Sequence, residues 1–430
     1  MGRPGLMMPA ITVHPIYHKF PLTSSANSAV RNMSKNENIS FLKAIKPLLI
    51  SLVVIGIQTT IYFKPSTLRQ KVLPLRWWII LTLIYLHLFS LKTVVALLLT
   101  KGGIEFWLQL TIFLRSSVAT ISADIYVFKR NKLHNLVLKI NSIFNRFSPE
   151  EKKTFKNRII RGTFVIWIFM TMNFITSTMN IYKMGIANFL DIHLFSMRIS
   201  FVSPVTQYVV GGILLLIRQA IMWGTLSFMI MYYVFLCEAI RYSFRSFILS
   251  MITTFQHENI LDERSVKRLQ KYYVYVTDLV SQLDDIFSPA VFFWSSSFIL
   301  SVCIDITFDI SLYSRMNTMR FFESLQKLVI LFLAYVSIGM SASLAIEEGR
   351  KCLPAFYKVT ASFDASRNYP LSQAVQFFAM RLGTTHFALT GWKFFDMTRG
   401  YMLTVFGILG SYIILVFQLN PETMTAFITA

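Results

Sequence analysis

Seven long apolar blocks with few charged residues constrain this chain more than any other feature. In chain order they occupy residues 77–99, 106–128, 162–182, 201–237, 290–313, 325–346 and 401–419. A hydrocarbon core about 30 Å thick requires about 20 predominantly apolar residues in one helix. Only 15% of the 430 residues are charged, against about 25% in soluble domains. The blocks therefore predict an all-α membrane protein with seven transmembrane helices.

A shorter apolar stretch precedes these blocks at residues 48–63, between two Lys-Pro pairs. It is shorter than a usual span and contains Gln58, Thr59 and Thr60. We interpret it as a short N-terminal re-entrant or interfacial segment rather than a crossing.

Loops with many basic residues alternate along the chain with loops that have few. Most of the 42 Lys and Arg residues lie before the first block and after the second, fourth and sixth. The alternate loops hold only Lys101, Lys183, Arg198, Arg315 and Arg320. Because cytoplasmic loops carry the excess of Lys and Arg, the N-terminus is predicted inside and the C-terminus outside. The net charge of +21 then suits the anionic lipids of the inner leaflet and requires no nucleic acid.

This topology divides the chain into five regions. They are a cytoplasmic N-terminal region at 1–76, a six-helix transmembrane domain at 77–346, a cytoplasmic segment at 347–400, a seventh helix at 401–419 and an extracellular tail at 420–430. The inside loops are long and helix-like, so we expect cytoplasmic helical extensions of the transmembrane domain. The fourth block is long enough to continue as a helix beyond the bilayer.

The sequence does not predict an enzyme, a cofactor or a metal site. The seven His residues are dispersed, and no Gly-rich phosphate loop follows a strand. Cys237, Cys303 and Cys352 have neither zinc-site nor disulfide-framework spacing. A secondary transporter is the rival class of membrane protein, but no internal repeat is seen and the number of spans is odd.

The last block contains no charged residue and has one face of small and polar side chains. At helical spacing this stripe comprises Gly400, Thr404, Gly407, Ser411 and Gln418, with Leu415 or Ile414 in the gap. Such a stripe is typical of close helix packing in lipid and equally of the lining of a pore. One helix encloses no pore, so the second interpretation requires an oligomer.

The same block carries the motif by which the chain resembles the insect gustatory receptors. Their C-terminal signature is Thr-Tyr, five hydrophobic residues and Gln-Phe, and residues 411–419 read SYIILVFQL. Ser411 replaces the Thr, and Leu419 replaces the Phe. Residues 391–399, 279–289 and 46–48 are similar to further stretches of the family, so the resemblance covers nearly the whole chain.

The resemblance implies a ligand-gated, non-selective cation channel in the plasma membrane. Four subunits, in a homo- or hetero-tetramer with other gustatory receptor subunits, each contribute the last helix to a central pore. Carried over by position, Gln418 and Leu419 lie at the gate, and Tyr412 lies beside the pore helix. Ser411 and Leu415 belong to the stripe that would then face the pore. The resemblance also implies that cytoplasmic helical segments, including 347–400, form an anchor between subunits.

The ligand implied is a small tastant. Sugar receptors of the family commonly carry Glu directly after the signature Tyr, where this chain has Ile413. A bitter or plant secondary compound is therefore the expected ligand. An odorant-receptor-like channel subunit that needs a co-receptor has the same architecture and is the alternative.

Charged residues inside the predicted spans are costly in lipid and indicate pairing or function. Those clearly inside the spans are Lys92, Arg115, Arg218 and Asp305, with Asp309 nearer the outer end. Counted from the outer ends of their spans, Arg115 and Asp305 lie at similar depth, which predicts a structural ion pair. Alternatively, Asp305 and Asp309, four residues apart and so on one helix face, line the ligand cavity.

Further pocket candidates are polar and aromatic residues in the outer halves of the spans, where the resemblance implies that the ligand binds. They are Trp107, Gln109, Asn173, Asn180, Gln207, Tyr208, Phe321 and Phe322. For each of them, helix packing or a place at the membrane interface is a more common role than ligand contact.

Overall fold

Each apolar block corresponds to a long α-helix, because a backbone that crosses lipid must pair its N–H and C=O groups within its own segment. The computed structural model describes residues 40–57, 69–100, 104–184, 204–256, 262–312, 318–361 and 369–419. Within these ranges, seven helices are long and apolar enough to cross a membrane. The prediction of seven transmembrane helices is confirmed.

The described helices and strands follow one another along the chain. They are α1 (Phe41–Ala44), α2 (Lys46–Val54), α3 (Arg69–Leu99), α4 (Ile104–Phe128), α5 (Arg130–Phe144), α6 (Pro149–Met184), α7 (Pro204–Gln256), α8 (Glu263–Leu312), α9 (Thr318–Arg350), α10 (Cys352–Thr360), α11 (Tyr369–Thr384), β1 (Thr390–Gly391), β2 (Phe395–Asp396) and α12 (Arg399–Leu419). The seven candidate spans lie in α3, α4, α6, α7, α8, α9 and α12.

The fourth and fifth spanning helices continue far beyond a bilayer. Helix α7 has 53 residues and α8 has 50, which at about 1.5 Å per residue gives lengths of about 75–80 Å. The hydrocarbon core accounts for about 30 Å of this. The predicted continuation of the fourth block is confirmed. Helix α8 begins at Glu263, well before the predicted span 290–313, and contains Pro289.

The extensions of α7 and α8 pack with the shorter helices α5, α10 and α11. Phe247 of α7 lies edge-on against Phe378 of α11, with ring centroids 6.3 Å apart. Lys132 of α5 and Asp285 of α8 form an exposed ion pair at 2.6 Å. The basic loops of the sequence therefore form a helical bundle, and their cytoplasmic placement stays a prediction.

Helix α7 is central to the spanning region, where it packs against α4, α6, α8 and α9. Its Phe228 and Tyr232 are fully buried. By contrast, α3 and α6 expose large apolar side chains such as Leu88 and Phe164. These exposed faces suit contact with lipid acyl chains.

The N-terminal helix α2 has nine residues, about 14 Å in length, and is too short to cross a membrane. It packs against α6, where Trp167 donates a hydrogen bond to Ser51 Oγ at 3.0 Å. The chain then turns at Gly56, whose φ is 91° and where a Cβ would lie 2.0 Å from Thr82 Oγ1 of α3. Residues 58–63 of the predicted re-entrant or interfacial segment lie outside the described residues.

Candidate functional site

Helix α12 is attached to the rest of the protein along one face. Met402, Val405 and Leu409 on this face are buried against α8 and α9. In the same cluster, Phe298 of α8 stacks on Tyr335 of α9, with ring centroids 4.3 Å apart and planes 4° from parallel. This apolar cluster positions the last helix.

Tyr412 adds a polar attachment between α12 and α8. Its hydroxyl oxygen lies 2.6 Å from Thr307 Oγ1 and 3.4 Å from the carbonyl oxygen of Cys303. Thr307 donates to the same Cys303 carbonyl at 2.8 Å, which leaves its oxygen free to accept the Tyr412 proton. Tyr412 therefore faces the interior of its own subunit, beside the exposed stripe.

The opposite face of α12 carries the small and polar stripe. Thr404 donates to the carbonyl of Gly400 and Ser411 to that of Gly407, both at 3.0 Å. These hydroxyls satisfy their hydrogen bonds within the helix. Gln418 is exposed on the same face.

The two apolar residues assigned to the pore or gate also lie on this exposed side. Leu415 is 51% exposed and Leu419 is 71% exposed. Four of the five predicted pore residues thus share one exposed surface, and Tyr412 is the member that points inward. Large exposed apolar side chains beside polar ones mark a surface that meets lipid, another subunit or both.

A short hairpin holds the segment that leads into α12. Strands β1 and β2 pair antiparallel, and Thr390 donates to the buried Asp284 carboxylate of α8 from its backbone N at 2.6 Å and from its hydroxyl at 2.9 Å. Lys393 also pairs with Asp284. Trp392 and Lys393 have φ values of 46° and 65°, a strained turn that their neighbours must hold in place. The start of the last helix is therefore fixed to α8.

A cavity of about 340 Å³ lies between α6, α7 and α9. Its aromatic and polar lining residues are Phe169, Phe235, Trp223, Asn173, Ser227 and Ser337. Along α6 it extends from Gly162, at the predicted inner end of the span 162–182, to Asn173 near the middle. The cavity therefore lies deeper than the outer-half pocket that the resemblance implied. The volume suits a small ligand, since ligand pockets measure about 300–1,000 Å³.

A smaller cavity of about 30 Å³ adjoins the first and shares Trp223 with it. Its wall includes Phe298 and Tyr335, the stacked pair in the cluster that holds α12. Residues of the smaller cavity wall therefore belong to the apolar cluster that packs against α12.

Arg115 of α4 and Asp305 of α8 meet inside the spanning region. Arg115 Nη2 lies 2.7 Å from Asp305 Oδ2, and the two side chains are 14% and 15% exposed. The Arg115 guanidinium also lies over the ring of Trp223, 5.5 Å from its centroid. This arrangement matches the ion pair that residue depth predicted, and it connects the pair to a cavity wall.

The remaining predicted pocket residues do not converge on the cavity in the described part of the chain. Trp107 is 45% exposed and lies edge-on to the Phe106 ring at 5.5 Å. Asp305 is engaged by Arg115 and does not line either cavity. The side chains of Asn180, Gln207, Tyr208, Asp309, Phe321 and Phe322 lie outside the described residues.

Sequence reasoning missed most of the cavity wall. Phe169, Trp223 and Phe235 are apolar residues in apolar spans, so no local pattern distinguishes them from packing residues. Asn173 is the residue of this wall that the sequence analysis had named, as a polar residue in the outer half of its span. The signal for the others is tertiary, since it depends on which helix faces meet.

Comparisons with known proteins agree with this architecture. Residues 45–420 match the sequence model of the family described as 7tm chemosensory receptor. Similar solved structures are the insect olfactory receptor OR5 from Machilis hrabei, with a TM-score of 0.68 and 14% identity, and the same receptor in complex with eugenol, with 0.65 and 16%. Both cover 88% of this chain and 98% of that receptor. At these identities the likeness shows the fold alone, and no curated protein matches the sequence.

Proposed function

The chain belongs to the seven-transmembrane chemosensory receptor family, whose members are receptors rather than enzymes, and we propose that it is a ligand-gated, non-selective cation channel. The resemblance to insect chemoreceptors is confirmed at the level of this family. The gustatory assignment rests on the signature in α12 and stays a prediction. We place the channel in the plasma membrane, with its N-terminus in the cytosol.

The observation that carries this proposal is the division of α12 into two faces. One face is buried against α8 and α9, and the other exposes the stripe that includes Ser411 and Gln418. Around a four-fold axis, four such stripes would enclose a path lined by hydroxyl and amide groups, with Leu415 and Leu419 as an apolar constriction. A pore of this kind conducts when its constriction is wetted.

The ligand in this proposal is a small tastant, a bitter or plant secondary compound. The Machilis hrabei receptor was solved in complex with eugenol, and we place the ligand of this chain in the cavity between α6, α7 and α9. The mostly apolar wall favours a compact apolar molecule, because burial of apolar surface drives its transfer from water.

Ligand binding would bias the pore through α4 and α8. Trp223 on the cavity wall lies under Arg115, Arg115 is bound to Asp305, and Asp305 is on the same helix as the Thr307 that holds Tyr412. A ligand shifts a closed-open equilibrium only by its difference in affinity for the two states. A ligand that binds more tightly when Trp223 takes one of two positions would therefore favour the state with that position, and the contacts of Arg115 and Asp305 would pass the change to α8.

Whole-cell current from this chain expressed alone tests the proposal, with a panel of bitter plant compounds and sugars as probes. We expect a current that reverses near zero millivolts and persists when G proteins are blocked. Saturable uptake with a current that depends on an ion gradient would instead identify a transporter. A response that appears only with a co-receptor would favour the odorant-receptor-like subunit.

Cysteine accessibility tests the pore face. Cys237 and Cys352 are buried and Cys303 is half-buried, so the background reaction with a charged methanethiosulfonate reagent is low. Reagent applied during the response should reduce the current of Ser411→Cys and spare that of Leu88→Cys, an exposed position on α3. If both variants reach the surface and keep their current after treatment, α12 does not line the path.

The attachment of α12 provides a test of coupling. Tyr412→Phe removes the hydrogen bond to Thr307, which contributes about 0.5–1.5 kcal/mol, so the half-maximal ligand concentration should change about two- to tenfold. Thr307→Val should have the same effect, and the double variant should be no worse than either single one. Additive effects would show that the two residues act separately.

A further inference from the structure

Three basic side chains surround one buried carboxylate where α7 and α9 leave the spanning region. The carboxylate belongs to Glu348 of α9, which is buried. Its oxygens lie 3.6 Å from Arg241 Nε, 3.2 Å from Arg245 Nε and 3.3 Å from Lys351 Nζ. One formal negative charge thus faces three positive charges, which leaves the cluster with a surplus of positive charge.

The neighbouring carboxylates have basic partners of their own. Glu238 of α7 pairs with Arg158 of α6, and Glu347 of α9 lies 2.7 Å from Arg399 of α12. Both pairs are formally neutral, so they leave the surplus around Glu348 unchanged.

The accessible members of the cluster are Arg245 and Lys351. Their side chains are 38% and 62% exposed, whereas that of Arg241 is 20% exposed. Arg245 is also held from a second side, because its guanidinium lies over the ring of Tyr242, 5.7 Å from the centroid. A basic group that is already held in place loses little freedom when it binds an anion.

The cluster lies at the depth of lipid headgroups. The predicted spans 162–182 and 325–346 are about 32 Å long, which matches the hydrocarbon core of about 30 Å. Arg158 precedes the first of these spans by four residues, and Lys351 follows the second by five, distances of about 6–8 Å along a helix. The headgroup region occupies about 5–8 Å on each side of the hydrocarbon core.

Apolar surface continues from the cluster toward the middle of the bilayer. Val234 of α7 and Ser337 of α9 line the cavity between the helices. Arg245 and Glu348 follow them by eleven residues, or three turns, and so lie on the same helix faces. Leu333, one turn from Ser337, is an exposed apolar residue of α9. A lipid whose phosphate lies at the cluster would therefore find apolar surface for its acyl chains.

From this arrangement we propose that the cluster is a binding site for an anionic phospholipid. The lipid phosphate meets Arg245 and Lys351, since Arg and Lys form charge-assisted hydrogen bonds with phosphate, and the acyl chains lie on the apolar faces of α7 and α9. Each basic residue near the surface increases the affinity for anionic lipid about fivefold. The inference goes beyond the proposed function and does not depend on it, because the lipid can bind whether or not a pore forms.

Three probes test the site: dioctanoyl phosphatidylglycerol, dioctanoyl phosphatidylcholine and inorganic phosphate. The two lipids have the same acyl chains and differ in headgroup charge. Affinities are measured on the purified full-length protein in nonionic detergent, from the rise of its unfolding temperature with probe concentration. We expect phosphatidylglycerol to bind about tenfold more tightly than phosphatidylcholine, and phosphate to cause no shift at the same concentrations. Equal binding of the two lipids would overturn the proposal, as would phosphate binding as tight as that of phosphatidylglycerol, which would identify a site for free anions.

Variants then assign the preference to the cluster through the sign of their effects. Lys351→Gln, at an exposed position, should weaken phosphatidylglycerol binding about fivefold and leave phosphatidylcholine binding unchanged, and Arg245→Gln provides a second variant of this kind. Glu348→Gln increases the surplus charge and should strengthen phosphatidylglycerol binding, which loss of a merely structural contact would not do.

Lys271→Gln is the matched control. Lys271 is an exposed basic residue of α8, 19 residues before the predicted span 290–313, which is about 28 Å along the helix. Its replacement should leave the tenfold preference intact. Equal losses for Lys271→Gln and Lys351→Gln would show that the total charge of the protein attracts the lipid and would refute the site. A preference that survives both Lys351→Gln and Arg245→Gln would refute it as well.

Discussion

Removal of either partner of the Arg115–Asp305 pair should destabilise the protein, and the two removals should differ in how much stability is lost. The pair is 2.7 Å long and largely buried. Loss of one partner of a buried pair costs about 3–5 kcal/mol, because the other charge stays buried without compensation. A stranded Asp305 can take up a proton and become neutral, whereas a stranded Arg115 remains charged. Asp305→Ala should therefore be more damaging than Arg115→Ala.

The contact of Arg115 with Trp223 reduces this difference without removing it. A cation over an aromatic ring contributes about 0.5–2 kcal/mol, which is less than the loss of the carboxylate partner. The double variant Arg115→Met with Asp305→Leu replaces both charges by apolar groups and should recover much of the loss, since such replacements are often neutral.

Surface biotinylation of tagged protein, together with the monomer-to-aggregate profile after extraction, measures these effects. We expect surface levels in the order wild type, double variant, Arg115→Ala and Asp305→Ala. Normal surface levels of both single variants, with altered ligand potency, would refute the structural role and favour the alternative in which Asp305 belongs to the ligand site. A double variant no better than Asp305→Ala would also refute the reasoning.

Two further predictions concern the support of α12. A Cβ at Gly339 would lie 2.1 Å from Met402 Sδ. Gly339→Val should therefore loosen the contact of α9 with α12, at a cost of about 1–3 kcal/mol, and reduce surface expression. Gly383→Ala should not, because a Cβ at Gly383 would meet nothing within 4 Å. Asp284→Leu leaves Lys393 without its buried partner and should increase proteolytic cleavage in residues 385–398. An unchanged cleavage pattern would show that the hairpin is stable without this ion pair.

Much of the architecture was predictable, for reasons visible in particular segments. The block 77–99 needed no tertiary information, because its length and lack of acidic residues already suit a bilayer. Residues 263–289 were expected to be helical as part of a long inside loop, but the apolar pattern placed the start of the fifth span at residue 290. The structure joins them to that span in one continuous helix. This helix packs against α7, α5 and α11, and such contacts between helices are not encoded in one segment.

The candidate site on α12 was also predictable only in part. The spacing of Thr404, Gly407, Ser411 and Gln418 places them on one helix face whatever surrounds the helix. The sequence did not show which side of α12 is buried. Met402, Val405 and Leu409 pack against α8 and α9, but apolar residues such as these are equally suited to contact with lipid.

The sequence by itself determined the number of spans, the predicted orientation and the stripe on the last helix, because bilayer thickness and charge bias act on each segment separately. Only the tertiary structure decided that Trp223 lies beneath Arg115, that Asn173 lines a cavity and that Tyr412 points inward. These features arise where faces of different helices meet. In lipid those faces are chosen by packing and by a few polar contacts, which no single segment encodes.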